Sequence, residues 1–167
     1  MRISLIPDWV VQDYSLVTVQ RLRQQGVRLL LTDLDYTLAP KSVAVADASV
    51  ADWVKEMQTA GIEVVVVSNN RNPARGPLFC ESLHLLCIDH ANKPNPRSFR
   101  RAMEYAGCTP QETVMLGDKL LTDVLGAHRA GIPVIMVEPK GGAKTLWQKV
   151  LHALQEPFKN IARRRSV

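Results

Sequence analysis

The sequence has 167 residues, a length typical of one domain with a single core. Hydrophobic residues make up 46% and charged residues 22%, which is ordinary for a globular protein and argues against long disordered segments. The formal net charge of +5 favours an anionic partner: a phosphorylated metabolite, a nucleic acid or an acidic membrane surface. We therefore expect residues 1–167 to form one domain, with a helix and basic tail at 143–167.

The cellular compartment is predicted from cysteines and from targeting signals. Cys80, Cys87 and Cys108 lie among apolar residues with no CxxC spacing, as reduced thiols do. The N-terminus lacks the apolar segment and cleavage site of a signal peptide, and no run approaches the roughly 20 apolar residues of a membrane span. These observations predict a cytoplasmic protein, whose membrane contact, if any, is peripheral on the inner face.

Apolar runs in the sequence predict β-strands. An apolar segment near the start, Ile6–Val11, fits core packing and membrane or partner contact equally well. Five later runs predict strands at Val27–Thr32, Ile62–Val67, Leu83–Ile88, Thr113–Leu116 and Ile132–Val137. Each is followed by a helical pattern, and this alternation predicts an α/β, three-layer Rossmann-like fold with a central parallel sheet.

Capping residues mark the predicted helix ends. The starts are marked by Asn72 before Pro73, by Asn95 before Pro96, and by Thr109 three residues before Glu112. Asparagine before proline is typical of a helix start, and the threonine and glutamate have the spacing of a capping box. Helices are expected to end at Gly61, Gly107 and Gly131.

Polar side chains follow the predicted strands at their carboxyl ends. They are Asp33 and Asp35, then Ser68, then Lys93 and Asp118. Because parallel strands present their carboxyl ends at one edge of a sheet, these residues are expected to lie together.

The carboxylates at this edge predict a cation. Asp33 and Asp35, at i and i+2 on an extended segment, point the same way, although such a pair alone also fits an ordinary turn. Asp118 belongs to a second acidic segment, Gly117–Asp123. Unit charges about 4 Å apart repel by roughly 4 kcal/mol at an effective dielectric near 20. A hard, oxygen-liganded ion such as Mg²⁺ would relieve that repulsion.

The order of these motifs resembles the haloacid dehalogenase (HAD) superfamily of phosphohydrolases. The order is DxDxT at Asp33–Thr37, Ser68, Lys93, and GDxxxTD at Gly117–Asp123. The segments Thr32–Leu38, Val67–Asn70 and Gly117–Val124 look like subfamily IIIA, YqeG type, which is related to mitochondrial phosphatidylglycerophosphate phosphatases. Tyr36 and Lys119 depart from the Asn and Gln expected there, which bears on substrate choice.

The resemblance implies roles for the reacting residues. Asp33 would be the nucleophile that forms an aspartyl-phosphate, and Asp35 the general acid and base. Mg²⁺ would be bound by the Asp33 side chain, the Asp35 carbonyl oxygen and Asp118, with Asp123 supporting the metal from its outer shell.

The resemblance also implies a phosphate site without a lid. The phosphoryl group would be bound by Thr37, Ser68, Asn69 and Lys93. Cap domains of the superfamily are inserted between motifs, but Leu38–Ile62 and Asn69–Asn92 each have room for little more than one helix, such as Ala48–Ala60. An open site suits a large or surface-bound substrate.

The C-terminal segment leaves two alternatives open. Its apolar residues recur at helical spacing beside basic residues, at Leu146, Val150, Leu151 and Leu154. Such a helix could lie on anionic lipid or pack on the sheet with a basic end. Pro157 is expected to break it in either case.

Resemblance, open site and positive charge together predict a phosphatase for a phospholipid phosphate, with phosphatidylglycerophosphate as the leading candidate. A soluble phosphosugar or phosphoprotein substrate is the alternative. A non-catalytic protein of this fold that binds RNA or the ribosome is another, although no RRM-like or KH-like motif supports a nucleic-acid partner. The oligomeric state stays open.

Overall fold

The computed structural model describes residues 4–140 and 146–165, with side chains described except at 146–152 and 165. The strands in this part of the chain are β1 (Trp9–Val11), β2 (Leu29–Thr32), β3 (Glu63–Val67), β4 (Leu86–Ile88), β5 (Thr113–Gly117) and β6 (Val134–Val137). The α-helices are α1 (Val19–Gln24), α2 (Ala48–Thr59), α3 (Arg75–Glu81), α4 (Arg97–Ala106), α5 (Leu125–Ala130) and α6 (Leu146–Arg165). Short 3₁₀ turns occupy Tyr14–Leu16 and Pro110–Glu112, and a π-helical turn, Leu120–Val124, leads into α5.

The six strands form one parallel sheet in the order β1-β6-β5-β2-β3-β4. From β2 the chain builds outward through β3 and β4, then crosses back to place β5 on the other side of β2. The carboxyl end of β2 is therefore a topological switch point, where open α/β sheets form their clefts.

Helices cover both faces of the sheet, as the apolar strands predict. In β2, Leu30 belongs to one core cluster and Leu29 and Leu31 to the other. The first cluster includes residues of α2 and α3, such as Trp53 and Phe79, and the second includes residues of α4 and α5. The predicted three-layer α/β fold with a central parallel sheet is confirmed.

The N-terminal segment packs in the domain. Trp9 pairs with Ile135 in the parallel ladder between β1 and β6, and Val11 is part of the core. Of the two alternatives for Ile6–Val11, core packing is the one confirmed.

The predicted capping residues act at or near the expected positions. The side-chain oxygen of Asn72 accepts from the Ala74 N–H at 3.0 Å, and that of Asn95 from the Arg97 N–H at 3.1 Å. Glu112 accepts from the Thr109 N–H at 3.0 Å, but this capping box opens only a single 3₁₀ turn before β5. The predicted glycines follow helices with positive φ, at Gly61, Gly107 and Gly131.

The expected break at Pro157 is wrong, because α6 continues from Leu146 to Arg165 with this proline inside it. A proline removes one backbone donor, but contacts with the domain hold the second half of the helix. Lys159, almost fully buried, lies 2.7 Å from Glu138, Ala162 is buried, and Phe158 packs against a core cluster.

The second half of α6 therefore packs on the domain. Leu154 in this half is exposed, and the side chains of Leu146, Val150 and Leu151 lie outside the described residues. Within 4–140 and 146–165, no helix combines the length and the apolar composition that a bilayer span requires.

No cap domain is present in the described residues. The chain between β2 and β3 contains α2 as its helix, and the chain between β3 and β4 contains α3. Nothing in residues 33–85 is large enough to cover the carboxyl edge of the sheet.

Candidate active site

A cleft of about 110 Å³ opens at the carboxyl edge of the sheet, beyond β2. It is lined by Asp33, Asp35, Lys41, Ser68, Asn69, Asn70, Lys93, Lys119 and Thr122. The structure thus brings most of the sequence-predicted site residues into one depression at the switch point. Asp118 and Asp123 are buried and cluster with Asp33, and Thr37, two residues after Asp35, is also buried.

Asp33 and Lys93 form a buried ion pair. Lys93 Nζ lies 2.9 Å from Asp33 Oδ1, and the two side chains are 1% and 6% exposed. Burial acts to raise the pKa of Asp33, but the ammonium groups of Lys93 and Lys119 outweigh it and hold this pKa below its usual value. Asp33 is therefore ionised at neutral pH.

Asp123 holds Lys93 from the other side. Lys93 Nζ lies 2.7 Å from Asp123 Oδ1, and the backbone N–H of Lys119 donates to Asp123 Oδ2 at 3.1 Å. Gly117 makes room for this carboxylate, since a Cβ there would lie 2.6 Å from the Asp123 side chain. The glycine and the two aspartates of the Gly117–Asp123 motif thus form one compact turn.

Three buried carboxylates could hold a metal ion. Asp33, Asp118 and Asp123 each place one oxygen so that all three atoms lie within 4.8 Å of one another. Burial is the main cause that raises the pKa of Asp118 to about 7, with Lys119 opposing and the Asp33 and Asp123 carboxylates adding to the rise. An oxygen-only donor set suits a hard divalent cation such as Mg²⁺.

Lys119 lies between two of these carboxylates. Its Nζ is 2.7 Å from Asp118 Oδ1 and 3.3 Å from Asp33 Oδ2. The same ammonium group lies 5.8 Å from the centre of the Tyr36 ring. The two residues that depart from the expected YqeG-type motifs are therefore neighbours at the cleft.

Asp35 is held by two residues that the sequence motifs do not single out. Asn70 Nδ2 donates to its Oδ2 at 2.7 Å, and Arg75 Nε to its Oδ1 at 3.0 Å. The buried Arg75 also donates to the backbone carbonyls of Pro40 and Val43. A single arginine at a helix start carries no sequence signal, whereas Asn70, two residues after Ser68, could have been suspected from its place behind β3.

The predicted phosphate-binding residues differ in how their polar atoms are used. Both ends of the Asn69 side-chain amide bond the backbone of Lys93, at 2.8 and 2.9 Å, so Asn69 positions the lysine. Ser68 Oγ accepts from the Asn70 N–H at 3.1 Å. The buried hydroxyl of Thr37 has no hydrogen-bond partner within the described part of the chain.

Fold and cleft together define an α/β protein with a site suited to phosphoryl chemistry. A parallel sheet places buried carboxylates and a lysine at its switch point, which is the equipment for binding and transferring a phosphoryl group.

Comparison with known proteins identifies the family. Residues 90–152 match the HAD-hydrolase-like family model. The chain is 38% identical over 134 residues to the probable phosphatase YqeG of Bacillus subtilis, covering 80% of this chain and 77% of that protein. The chain belongs to the HAD superfamily, among phosphatases of the YqeG type.

Two more distant similarities agree with this assignment. Phosphatidylglycerophosphate phosphatase 1 of Arabidopsis thaliana is 22% identical over 148 residues, which cover 84% of this chain and 42% of that protein. The structure of a putative HAD superfamily (subfamily III A) hydrolase from Legionella pneumophila has a TM-score of 0.54 at 16% identity, covering 87% of this chain and 89% of that one. The latter similarity concerns the fold alone.

Proposed function

We propose that this phosphatase hydrolyses a phosphomonoester with Mg²⁺ through an aspartyl-phosphate on Asp33. The observation that carries the proposal is the buried chain of charges at the switch point, in which Lys93 joins Asp33 to Asp123 at 2.9 and 2.7 Å. A lysine fixed in this way neutralises the nucleophile and keeps positive charge where a phosphate would bind.

Asp33 would act as the nucleophile. It is ionised because Lys93 and Lys119 outweigh the effect of burial on its pKa. A carboxylate oxygen forms a bond to phosphorus while the ester P–O bond breaks, and the alkoxide leaves on the opposite side.

Asp35 would act as the general acid and base. It donates a proton to the leaving oxygen, then accepts one from the water that attacks the aspartyl-phosphate. Asn70 and Arg75 each hold one of its oxygens, so the carboxyl group is fixed in orientation. A group fixed in this way meets the geometric demand of proton transfer.

The metal would be held by the side chains of Asp33 and Asp118 and by the backbone carbonyl of Asp35. When bound, a divalent cation offsets repulsion between the attacking carboxylate and the phosphate dianion. Asp123, which contacts Lys93 and the Lys119 N–H, would support the site from its outer shell.

The phosphoryl oxygens would be bound by Lys93 and by the hydroxyls of Thr37 and Ser68, with Asn69 at the edge of the site. Thr37 supports this role because its buried hydroxyl bonds no described residue. A buried donor without a partner costs free energy, and a phosphoryl oxygen would satisfy it.

Asp33→Asn tests the reaction type. Because the variant lacks the charged nucleophile, Mg²⁺-dependent phosphate release should fall by about 10⁴-fold or more. Circular dichroism checks that the fold is intact, and Asp52→Asn on the exposed side of α2 serves as the matched control. Turnover retained in Asp33→Asn would remove the proposal.

For the substrate we propose a phospholipid phosphate, with phosphatidylglycerophosphate as the leading candidate. The cleft has no cap in the described residues, the formal charge is +5, and the Arabidopsis relative carries that substrate in its name. Such an enzyme would meet its substrate by peripheral contact with an anionic membrane. A soluble phosphosugar or phosphoprotein is the competing substrate class.

A phosphate-release screen separates these classes. Phosphatidylglycerophosphate in mixed micelles is compared with soluble phosphomonoesters at equal Mg²⁺. We expect kcat/KM to be highest for the lipid and to fall in uncharged detergent without anionic lipid. A clear preference for a soluble ester would exclude the lipid substrate while leaving the phosphatase reaction in place.

A further inference from the structure

We propose that Lys119 is a tethered cation that competes with the divalent metal for the space between Asp33 and Asp118. The inference rests on the metal site proposed above. In the absence of metal the ammonium group occupies part of that site, and metal binding displaces it.

The contacts of Lys119 show a group placed between metal ligands. Its Nζ lies 2.7 Å from one oxygen of Asp118 and 3.3 Å from one oxygen of Asp33. These two carboxylates belong to the cluster whose oxygens lie within 4.8 Å of one another. An ammonium group there bridges oxygens that a divalent ion would also need.

The two lysines of the site differ in their freedom to move. The side chain of Lys93 is 1% exposed and held between Asp33 and Asp123, whereas that of Lys119 is 42% exposed. Lys119 can therefore leave without opening the core, while Lys93 cannot. Lys93 is a fixed counter-charge and Lys119 a removable one.

The charge balance shows why this competition affects affinity. When all three carboxylates are ionised, Asp33, Asp118 and Asp123 with the Lys93 ammonium sum to −2, and Lys119 brings the sum to −1. A site of charge −2 attracts a divalent cation more strongly than one of charge −1 at the same distances. Lys119 thus weakens metal binding by repulsion as well as by occupying space.

The displaced ammonium group of Lys119 would move toward the ring of Tyr36. Lys119 Nζ already lies 5.8 Å from the centre of the Tyr36 ring, whose face attracts cations. Moving toward this ring and the solvent, Lys119 would remain at the rim of the cleft.

The test is the affinity for metal without substrate. The dissociation constant for Mg²⁺ is measured by calorimetry, and that for Mn²⁺ by electron paramagnetic resonance. Lys119→Gln should bind both ions on the order of tenfold more tightly than the unaltered protein. Lys41→Gln is the matched control: Lys41 lines the same cleft and lies 5.7 Å from the Tyr36 ring, without a carboxylate partner among the described residues. It should change either constant by no more than about twofold.

A second measurement uses the unaltered protein and does not depend on the folding of a variant. In ¹⁵N-lysine-labelled protein kept in chelator, the ammonium signal of Lys119 should show slow hydrogen exchange because both carboxylates hold it. Adding Mg²⁺ should make that exchange fast, while the signal of Lys93 stays protected.

The results of these measurements distinguish a failure of the competition by Lys119 from a failure of the proposed function. Equal or weaker Mg²⁺ affinity in Lys119→Gln overturns the competition. The competition is also overturned if the unaltered protein releases phosphate in chelator and Lys119→Gln does not, because Lys119 would then replace the metal. If none of the three proteins binds Mg²⁺ or Mn²⁺, the metal site itself is wrong, and the metal dependence of the proposed function fails with it.

Discussion

At the scale of single residues, the orientation of Asp35, the proposed proton-transfer group, depends on its neighbours as much as on its own position. Asp35 is 5% exposed, and Asn70 and Arg75 each bond one of its oxygens. Arg75 also ties Asp35 to the loop that contains Pro40. The orientation of the carboxyl group is therefore set by the loop after β3 and by the start of α3, forty residues later in the chain.

Arg75→Lys should lower kcat by about 10²-fold, because a lysine cannot bond Asp35 and the Pro40 and Val43 carbonyls together and the carboxyl group loses its orientation. KM should change much less, since Arg75 contacts Asp35 and not the proposed phosphate site. Steady-state kinetics with circular dichroism measures both effects. Arg71→Lys, at an exposed position, controls for the substitution, and a rise in KM at unchanged kcat would contradict the positioning role.

Sequence reasoning finds residues whose place is fixed by strand ends, and it misses those whose place depends on loops. Asp33 and Asp118 follow β2 and β5 directly, so the parallel sheet alone puts them together. Arg75 reaches Asp35 only through the path of the chain after β3. The approach of Lys119 to Tyr36 is likewise a product of two loops, one of them with Tyr36 at φ 68°.

At the scale of elements, the turn after β5 depends on the absence of a side chain at Gly117. A Cβ there would lie 2.6 Å from Asp123, which bonds Lys93 and the Lys119 N–H. Asp123 cannot move away without losing those contacts, so the turn does not tolerate a larger residue.

Gly117→Ala should therefore destabilise the fold by about 1–3 kcal/mol and abolish phosphate release. Gly107→Ala is the control, because Gly107 has positive φ and open space around its Cβ position. It should cost about 1 kcal/mol of folding free energy and leave turnover intact. Urea unfolding and a phosphatase assay compare the two, and an active Gly117→Ala would show that the turn can adapt.

The capping box before β5 makes a pH-dependent contribution to stability. The Thr109 backbone N–H, followed by Arg28, lowers the pKa of Glu112 from 4.5 to about 2. A carboxyl group with a lowered pKa stabilises the fold fully above its ordinary value, and this contribution is lost as the pH falls through the lowered one.

Glu112→Gln should accordingly lower Tm at pH 7, and the difference from the unaltered protein should shrink below pH 4.5 and vanish near pH 2. Thermal unfolding across this range measures it. Glu56→Gln, at an exposed position of α2, should show a small difference at every pH. A Tm difference at Glu112 that does not change with pH would contradict the assignment.

Strands are more predictable in this chain than the extent of α6. The five predicted strands all appear, with bounds shifted by no more than three residues, because buried parallel strands are continuously apolar. The three-residue β1 is too short to give such a signal, and its pairing with β6 is decided by the sheet. The helix break predicted at Pro157 is wrong because packing of the second half of α6 outweighs the lost backbone hydrogen bond.

At the scale of the whole molecule, ion pairs with Glu138 hold α6 on the domain. Glu138 follows β6 directly, and Lys159 and Arg163 bond its two oxygens at 2.7 and 2.9 Å. Lys159 also lies 3.3 Å from Glu156 on its own helix. Two of the basic residues of the C-terminal segment, Lys159 and Arg163, thus form ion pairs within the protein, which leaves less positive charge to contact an anionic membrane.

Lys159→Met tests whether this ion pair docks α6. Since the Lys159 side chain is 1% exposed and that of Glu138 is 21% exposed, removing the ammonium group leaves a partly buried carboxylate with Arg163 as its remaining partner. The free energy of unfolding should fall by roughly 3 kcal/mol. Lys55→Met on the exposed side of α2 should change it by no more than about 0.5 kcal/mol. Because Glu138→Gln removes the charge that Lys159 balances, the double variant should lose much less than the sum of the single ones. Additive losses in urea unfolding would show that Lys159 and Glu138 contribute independently, and that their ion pair does not dock α6.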